Sequence, residues 1–195
     1  MFAVAPNRVL NVDFTSWTGK HLEVTEGDSS SPNKTLVYAA DLNFRKPHMV
    51  FQATGSARLP ATVNFHAFSR AIDVNINGHE IAFKPKGMLK YEAPFESPAL
   101  GGKVLRWKNP KYSNPSYLEC SDEHDTVIAK FVPSSAWKLT KAGHLELDGR
   151  LPTGPLTDEV VVTGLALAYY IMVQTRGASG ASAAAASSVV VATSV

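Results

Sequence analysis

The densest group of anion-binding side chains lies between Lys84 and Lys111. There Lys84, Lys86, Lys90, Lys103, Arg106, Lys108 and Lys111 stand against Glu92 and Glu96, a net charge of +5. The flanking sequence differs: residues 1–83 balance seven basic against seven acidic residues, and residues 112–195 carry five against eight. A phosphate group needs several convergent cations, and arginine adds a planar bidentate fork. Lys84 and Lys86 follow the hairpin expected over 72–83. Arg106 and Lys108 flank Trp107, so both point outward if the indole points inward. These four are the candidate contacts to an inositol phosphate or an anionic membrane surface, each worth about 1 kcal/mol near such a surface. The competing reading is a solvated rim that keeps the chain soluble.

Other chemistry finds less support. Ser121–Asp125 (S-D-E-H-D) has oxygen ligands but is too short and lacks the mid-loop glycine of a calcium loop, so a hairpin turn is expected there. The six histidines are scattered without an H-E-x-x-H spacing, and His66 in N-F-H-A-F reads as a structural histidine. No G-x-S-x-G, P-loop or G-x-G-x-x-G sequence occurs. No catalytic residue, metal ligand or cofactor site is assigned, and a non-enzymatic protein is expected. The overall charge of +2 gives no nucleic-acid footprint. Cys120 is the single cysteine, which rules out an internal disulfide and suits a reducing compartment. It lies beside Leu118 on an expected strand and reads as a core residue. The opening M-F-A-V-A-P-N-R lacks the pattern of a secretory leader. A cytoplasmic location, peripheral at a membrane, is therefore expected.

The elements that must position these residues are mostly short strands. Residues 21–26 (H-L-E-V-T-E) alternate polar and apolar, the pattern of a half-buried strand. Similar stretches fall at 9–14, 35–41, 49–53, 61–66 and 104–107. The strongest local signal is I-D-V-N-I-N-G-H-E-I-A-F over 72–83, where Asn77-Gly78 supplies the positive φ angles of a type I′ hairpin turn. Residues 84–102 are rich in Pro and Gly and read mostly as loop. Hairpins are expected over 117–131 and over 137–147, the latter turning at Ala142-Gly143.

One segment differs from all of these. Between Val160 and Val173 only Thr163 and Gly164 interrupt an apolar run, so the helix it forms has no polar face and must be buried in protein or lipid. The run is shorter than the roughly 20 apolar residues of a membrane span. Its ends carry Thr157, Asp158 and Glu159 on one side and Arg176 and Gly177 on the other. A lone apolar helix after ten to twelve strands is expected to fill the inside of a closed antiparallel β-barrel (an α+β, mainly β, fold). The expected helix covers 157–176 in one domain over 1–176, with Thr157 as its cap. Residues 177–195, uncharged and of low complexity, are expected to form a disordered tail.

Trp107, Leu118-Glu119-Cys120, Ile128-Ala129-Lys130-Phe131, Gly143-His144-Leu145-Glu146-Leu147 and Asp158–Ala166 together resemble the tubby C-terminal-like superfamily. That group includes the LURP-one-related proteins and the phospholipid scramblases. The resemblance covers roughly Phe14 to Arg176 and lies in the order and character of segments. It implies a twelve-stranded barrel around a hydrophobic C-terminal helix. It also implies phosphoinositide binding, as in the tubby branch, or lipid exchange, as in the scramblases. The scramblases' Pro-rich N-terminal segment and acylated cysteine cluster are absent, and no tubby head-group residue transfers. The leading expectation is phosphoinositide or anionic-membrane binding through the basic patch. The alternatives are a structural or protein-interaction barrel with an unknown protein partner, and a scramblase-like membrane protein.

Overall fold

Period-two alternation of apolar residues builds the strands. In β1 (Arg8–Phe14) the residues Leu10, Val12 and Phe14 are buried and their neighbours are not. The same pattern recurs in β2 (His21–Glu26), β3 (Thr35–Leu42), β5 (Pro60–Phe65) and β6 (Ile72–Ile76). With β4 (Met49–Ala53), β7 (His79–Phe83), β8 (Glu92–Ser97), β9 (Lys103–Lys108), β10 (Leu118–Ser121), β11 (Val127–Pro133) and β12 (Lys141–Leu147), they form one twelve-stranded sheet. The computed structural model describes residues 7–15, 20–27, 34–53, 60–87, 91–110, 114, 116–134 and 141–187.

The ladder is antiparallel throughout and runs β7-β6-β5-β4-β3-β2-β1-β12-β11-β10-β9-β8. Its two end strands, β7 and β8, lie side by side, which makes the barrel nearly closed. One helix, α1 (Pro155–Ser187), runs through the interior against β5, β6, β10 and β11. From Thr157 to Met172 every residue but Tyr169 is buried. By length and composition the segment Pro155–Thr175 could cross a membrane, but 83% of its most apolar window is buried inside the barrel. The largest enclosed side chains come from both sheet and helix: Trp107, Phe51 and Phe131 from strands, Leu167 and Ile171 from α1.

The strand at 72–76 turns at Asn77 and Gly78, with φ of 52° and 84°, as a type I′ hairpin requires. Four expectations are corrected. The Pro- and Gly-rich stretch 84–102 contains β8 and a 3₁₀ turn, Pro98–Leu100. Pro94 is tolerated in β8 because that strand ends the ladder, with β9 as its only partner strand. Ala142-Gly143 is not a turn: both residues lie within β12. Gly143 sits at a register shift with φ of 151°, where a Cβ would meet the Val132 carbonyl oxygen at 2.2 Å. The expected strand at 137–139 lies outside the described residues. The helix starts at Pro155, not Thr157, and its backbone continues beyond Arg176 to Ser187, carried by the alanine-rich sequence. Of the expected tail, 188–195 lie outside the described residues. Finally, Thr157 is not the helix cap, since it lies inside α1; its hydroxyl donates to the Pro152 carbonyl at 2.7 Å.

Because neighbouring strands are antiparallel, successive connections alternate between the two ends of the barrel. The connections 27–34, 54–59, 77–78, 98–102, 122–126 and 148–154 join strand ends on the side where α1 enters. The connections 15–20, 43–48, 66–71, 84–91, 109–117 and 134–140 join strand ends on the side where it leaves.

Candidate functional site

The entry end holds two buried carboxylates. Asp158 and Glu159, in the first turn of α1, are 5% and 4% exposed. The Tyr38 hydroxyl donates to Asp158 Oδ1 at 2.8 Å. The Ala99 amide donates to Glu159 Oε1 at 2.8 Å, and the Ser97 hydroxyl donates to Oε2. The positive end of the helix dipole favours both carboxylates. These bonds tie α1 to β3 and to the 3₁₀ turn. Burial nevertheless raises both carboxyl pKa values above the ordinary 3.8 and 4.5, and the hydrogen-bond donors oppose the shift.

A raised value in the folded chain means that folding favours the protonated form. The stabilisation from these two groups is therefore complete below their ordinary values and is lost as pH rises through the raised ones. Asp158→Asn and Glu159→Gln have no such proton to lose. Their stability relative to wild type is expected to improve as pH rises from the ordinary carboxyl values of 3.8 and 4.5 through the raised ones, read as urea midpoints. A relative stability that falls over that interval would contradict the assignment.

The exit end has the opposite character. None of its six connections contains Asp or Glu, and each contains at least one Lys or Arg. The entry-end connections hold Asp28, Asp122, Glu123, Asp125 and Asp148 against Lys34, Arg58 and Arg150. The barrel is thus polarised along its axis, with a cationic surface around the emerging helix.

The four sequence-predicted residues divide between two places. Lys84 and Lys86 are exposed at the exit end, on either side of the buried Pro85. Lys86 is fixed by a backbone bridge to Glu92. Neither lysine has an ion-pair partner among the described residues, and the same holds for Arg45, Lys46 and Arg70 of the neighbouring connections. Arg106 and Lys108 do point outward, with Trp107 inward, but they lie on the barrel wall among carboxylates. Arg106 Nε is 3.1 Å from Glu92 Oε1, a charge contact without hydrogen-bond alignment, and Lys108 Nζ is 3.3 Å from Asp125 Oδ1. Lys103 is likewise paired with Glu123 at 2.9 Å. Much of the charge that made the 84–111 block conspicuous is neutralised locally.

A cleft of about 230 Å³ opens at the exit end, beside the β7–β8 seam. Arg70, Pro85, Gly87 and Tyr91 line its rim, and Tyr170, Gln174 and Thr175 of α1 line its inner side. Arg70 sits on the tight turn after β5 with φ of 60°, its amide bonded to the His66 carbonyl. A guanidinium, two phenols and an amide around one opening can hold a hydrated anionic group. Sequence reasoning missed Arg45, Lys46 and Arg70 because they form no contiguous run. The available signal was the absence of acid from alternate connections, which becomes visible only once the strands are ordered.

No family model, no curated protein and no solved structure matches this chain.

The Ser121–Asp125 segment forms the expected turn. Asp122 Oδ1 accepts from the amides of His124 and Thr126, both at 2.9 Å. Cys120 is fully buried, and burial raises its thiol pKa, so it is inert as a nucleophile.

Proposed function

We propose that this chain is a non-enzymatic, tubby-like barrel that binds anionic membrane surfaces, phosphoinositides among them, through its exit end. The observation that carries this reading is the set of cations unpaired among the described residues, Arg45, Lys46, Arg70, Lys84 and Lys86, on acid-free connections around the emerging helix. Lys84 and Lys86 keep the role expected of them, joined by Arg45, Lys46 and Arg70. The twelve-stranded barrel with an apolar axial helix is the architecture that the resemblance implies. A cytoplasmic protein recruited peripherally to a membrane follows from the same reading.

The test is co-sedimentation with phosphatidylcholine vesicles containing phosphatidylinositol bisphosphate. Wild-type protein is expected to bind and to be released as salt rises. Together, Arg70→Gln, Lys84→Gln and Lys86→Gln are expected to remove about 3 kcal/mol, or roughly a hundredfold in partitioning. Arg106→Gln with Lys108→Gln is expected to change binding little, because those cations already have carboxylate partners. Wild-type protein that ignores these vesicles refutes the proposal. A loss confined to the wall variant moves the site to Arg106 and Lys108. A second reading, a protein-interaction barrel without a lipid ligand, draws on the ion pairs that neutralise the wall.

A further inference from the structure

Among the described residues five large apolar side chains are exposed: Val9, Phe44, Phe68, Val104 and Val173. Val9 and Val104 are at 40% on strands of the barrel wall, as scattered surface residues often are. Phe44 and Phe68 are different, at 93% and 105%, with essentially the whole ring in water. Both lie at the exit end, in the β3–β4 and β5–β6 connections, and Val173 lies where α1 leaves the same end.

The two loops are built to hold these rings outward. In the first, the Asn43 amide bonds the His48 carbonyl at 2.8 Å, and Asn43 Nδ2 bonds the Pro47 carbonyl at 3.1 Å. In the second, the Arg70 amide bonds the His66 carbonyl at 3.0 Å, and the His66 amide bonds the Ala71 carbonyl at 2.9 Å. The first loop is also tied to the end of β5, from which the second springs. The Phe65 amide donates to His48 Nδ1 at 3.1 Å, and the two rings are 5.3 Å apart. Phe44 and Phe68 therefore project from a braced surface and do not fold back onto the core. Each has cations close in sequence, Arg45 and Lys46 for Phe44 and Arg70 for Phe68, with no carboxylate in either loop.

Apolar rings carried among unpaired cations match one environment in particular. The rings enter the boundary between head groups and acyl chains while the cations remain with anionic head groups. We propose that Phe44 and Phe68 are a pair of membrane-inserting anchors that seat the exit end on an anionic bilayer. This rests on the membrane reading above and adds to it insertion, orientation and the residues responsible. The barrel axis then stands toward the membrane with the acidic entry end facing away.

The test uses the buried Cys120 to advantage, since a cysteine introduced on the surface is the only reactive one among the described residues. Phe44→Cys and Phe68→Cys, and as a control the exposed Glu80→Cys near the opposite end, are labelled with an environment-sensitive fluorophore. They are then mixed with phosphatidylcholine vesicles with and without phosphatidylserine. On serine-containing vesicles the labels at 44 and 68 are expected to shift to the blue and to be quenched by acyl-brominated lipid, and the label at 80 is not. Unlabelled Phe44→Ala and Phe68→Ala are each expected to weaken partitioning by about tenfold. Labels at 44 and 68 that stay in water on vesicles that do bind the protein overturn insertion and leave electrostatic docking standing. Failure of wild-type protein to bind overturns both. A blue shift without lipid, growing with protein concentration, shows that the rings meet a second copy and also overturns the proposal.

Discussion

Leu167→Asp leaves a chain that does not fold. Leu167 is 0% exposed on the stretch of α1 enclosed by the barrel. From Thr157 to Ala168 the helix has no exposed face to which a carboxylate could turn. Truncating such a leucine alone costs about 2–5 kcal/mol. An unpaired buried carboxylate adds several kcal/mol more, or takes up a proton and still lacks partners. Together these match or exceed the roughly 5–15 kcal/mol of stability of a typical domain. Asp158 and Glu159 show what makes a carboxylate tolerable on this helix. They lie in its first turn and receive hydrogen bonds from Tyr38, Ser97 and Ala99. Position 167, about two and a half turns deeper, lies within the apolar core. Circular dichroism and a thermal melt decide the matter, with Leu167→Met as the control, expected to cost less than about 1.5 kcal/mol. A soluble Leu167→Asp protein that melts cooperatively near wild type would mean that the helix is not enclosed.

The legibility of this chain depended on whether a residue's role was local. Leu10, Val12 and Phe14, or Ile72, Val74 and Ile76, announce a strand because the period of two is set by the backbone alone. Asn77-Gly78 announces its turn for the same reason. The axial helix was legible because a run without a polar face can only be enclosed. The features that were misread depend on neighbours. Pro94 argues against a strand unless that strand ends the ladder, and nothing near Pro94 says so. Gly143 suggests a turn, yet its role is to let β12 pass within contact of the Val132 carbonyl. The basic site was half legible for a related reason. A block of cations along the chain is not a block in space, and the fold placed Lys84 and Lys86 at one end while giving Arg106 and Lys108 carboxylate partners. Phe44, Arg45, Phe68 and Arg70 join that end from separate loops, so no sequence window contains them together.

Thr163 and Gly164, the two interruptions of the apolar run, are explained by Trp107, and this leads to the second large effect. Gly164→Val is expected to cost about 3–5 kcal/mol, the range for losing a packed aromatic residue. A glycine within a helix costs about 1 kcal/mol relative to alanine, so its presence calls for a local cause. The cause is the indole of Trp107, fully buried on β9: a Cβ at position 164 would lie 2.5 Å from Cζ2 and 2.9 Å from Cη2. The ring cannot retreat without breaking the bond from its Nε1 to Thr163 Oγ1, 3.0 Å long. That hydroxyl itself donates to the Glu159 carbonyl at 2.6 Å, so indole and helix are locked together. The valine must therefore displace either the helix or the tryptophan. Trp107→Phe removes the part of the ring that the new side chain meets. The costs of the two substitutions are accordingly expected not to add: Gly164→Val in the Trp107→Phe background should be less destabilising than in wild type, by about 1–3 kcal/mol in a double-mutant cycle of urea melts. Strict additivity would show that position 164 and the indole do not compete for the same space. A Gly164→Val protein as stable as wild type would remove the reason for a glycine there.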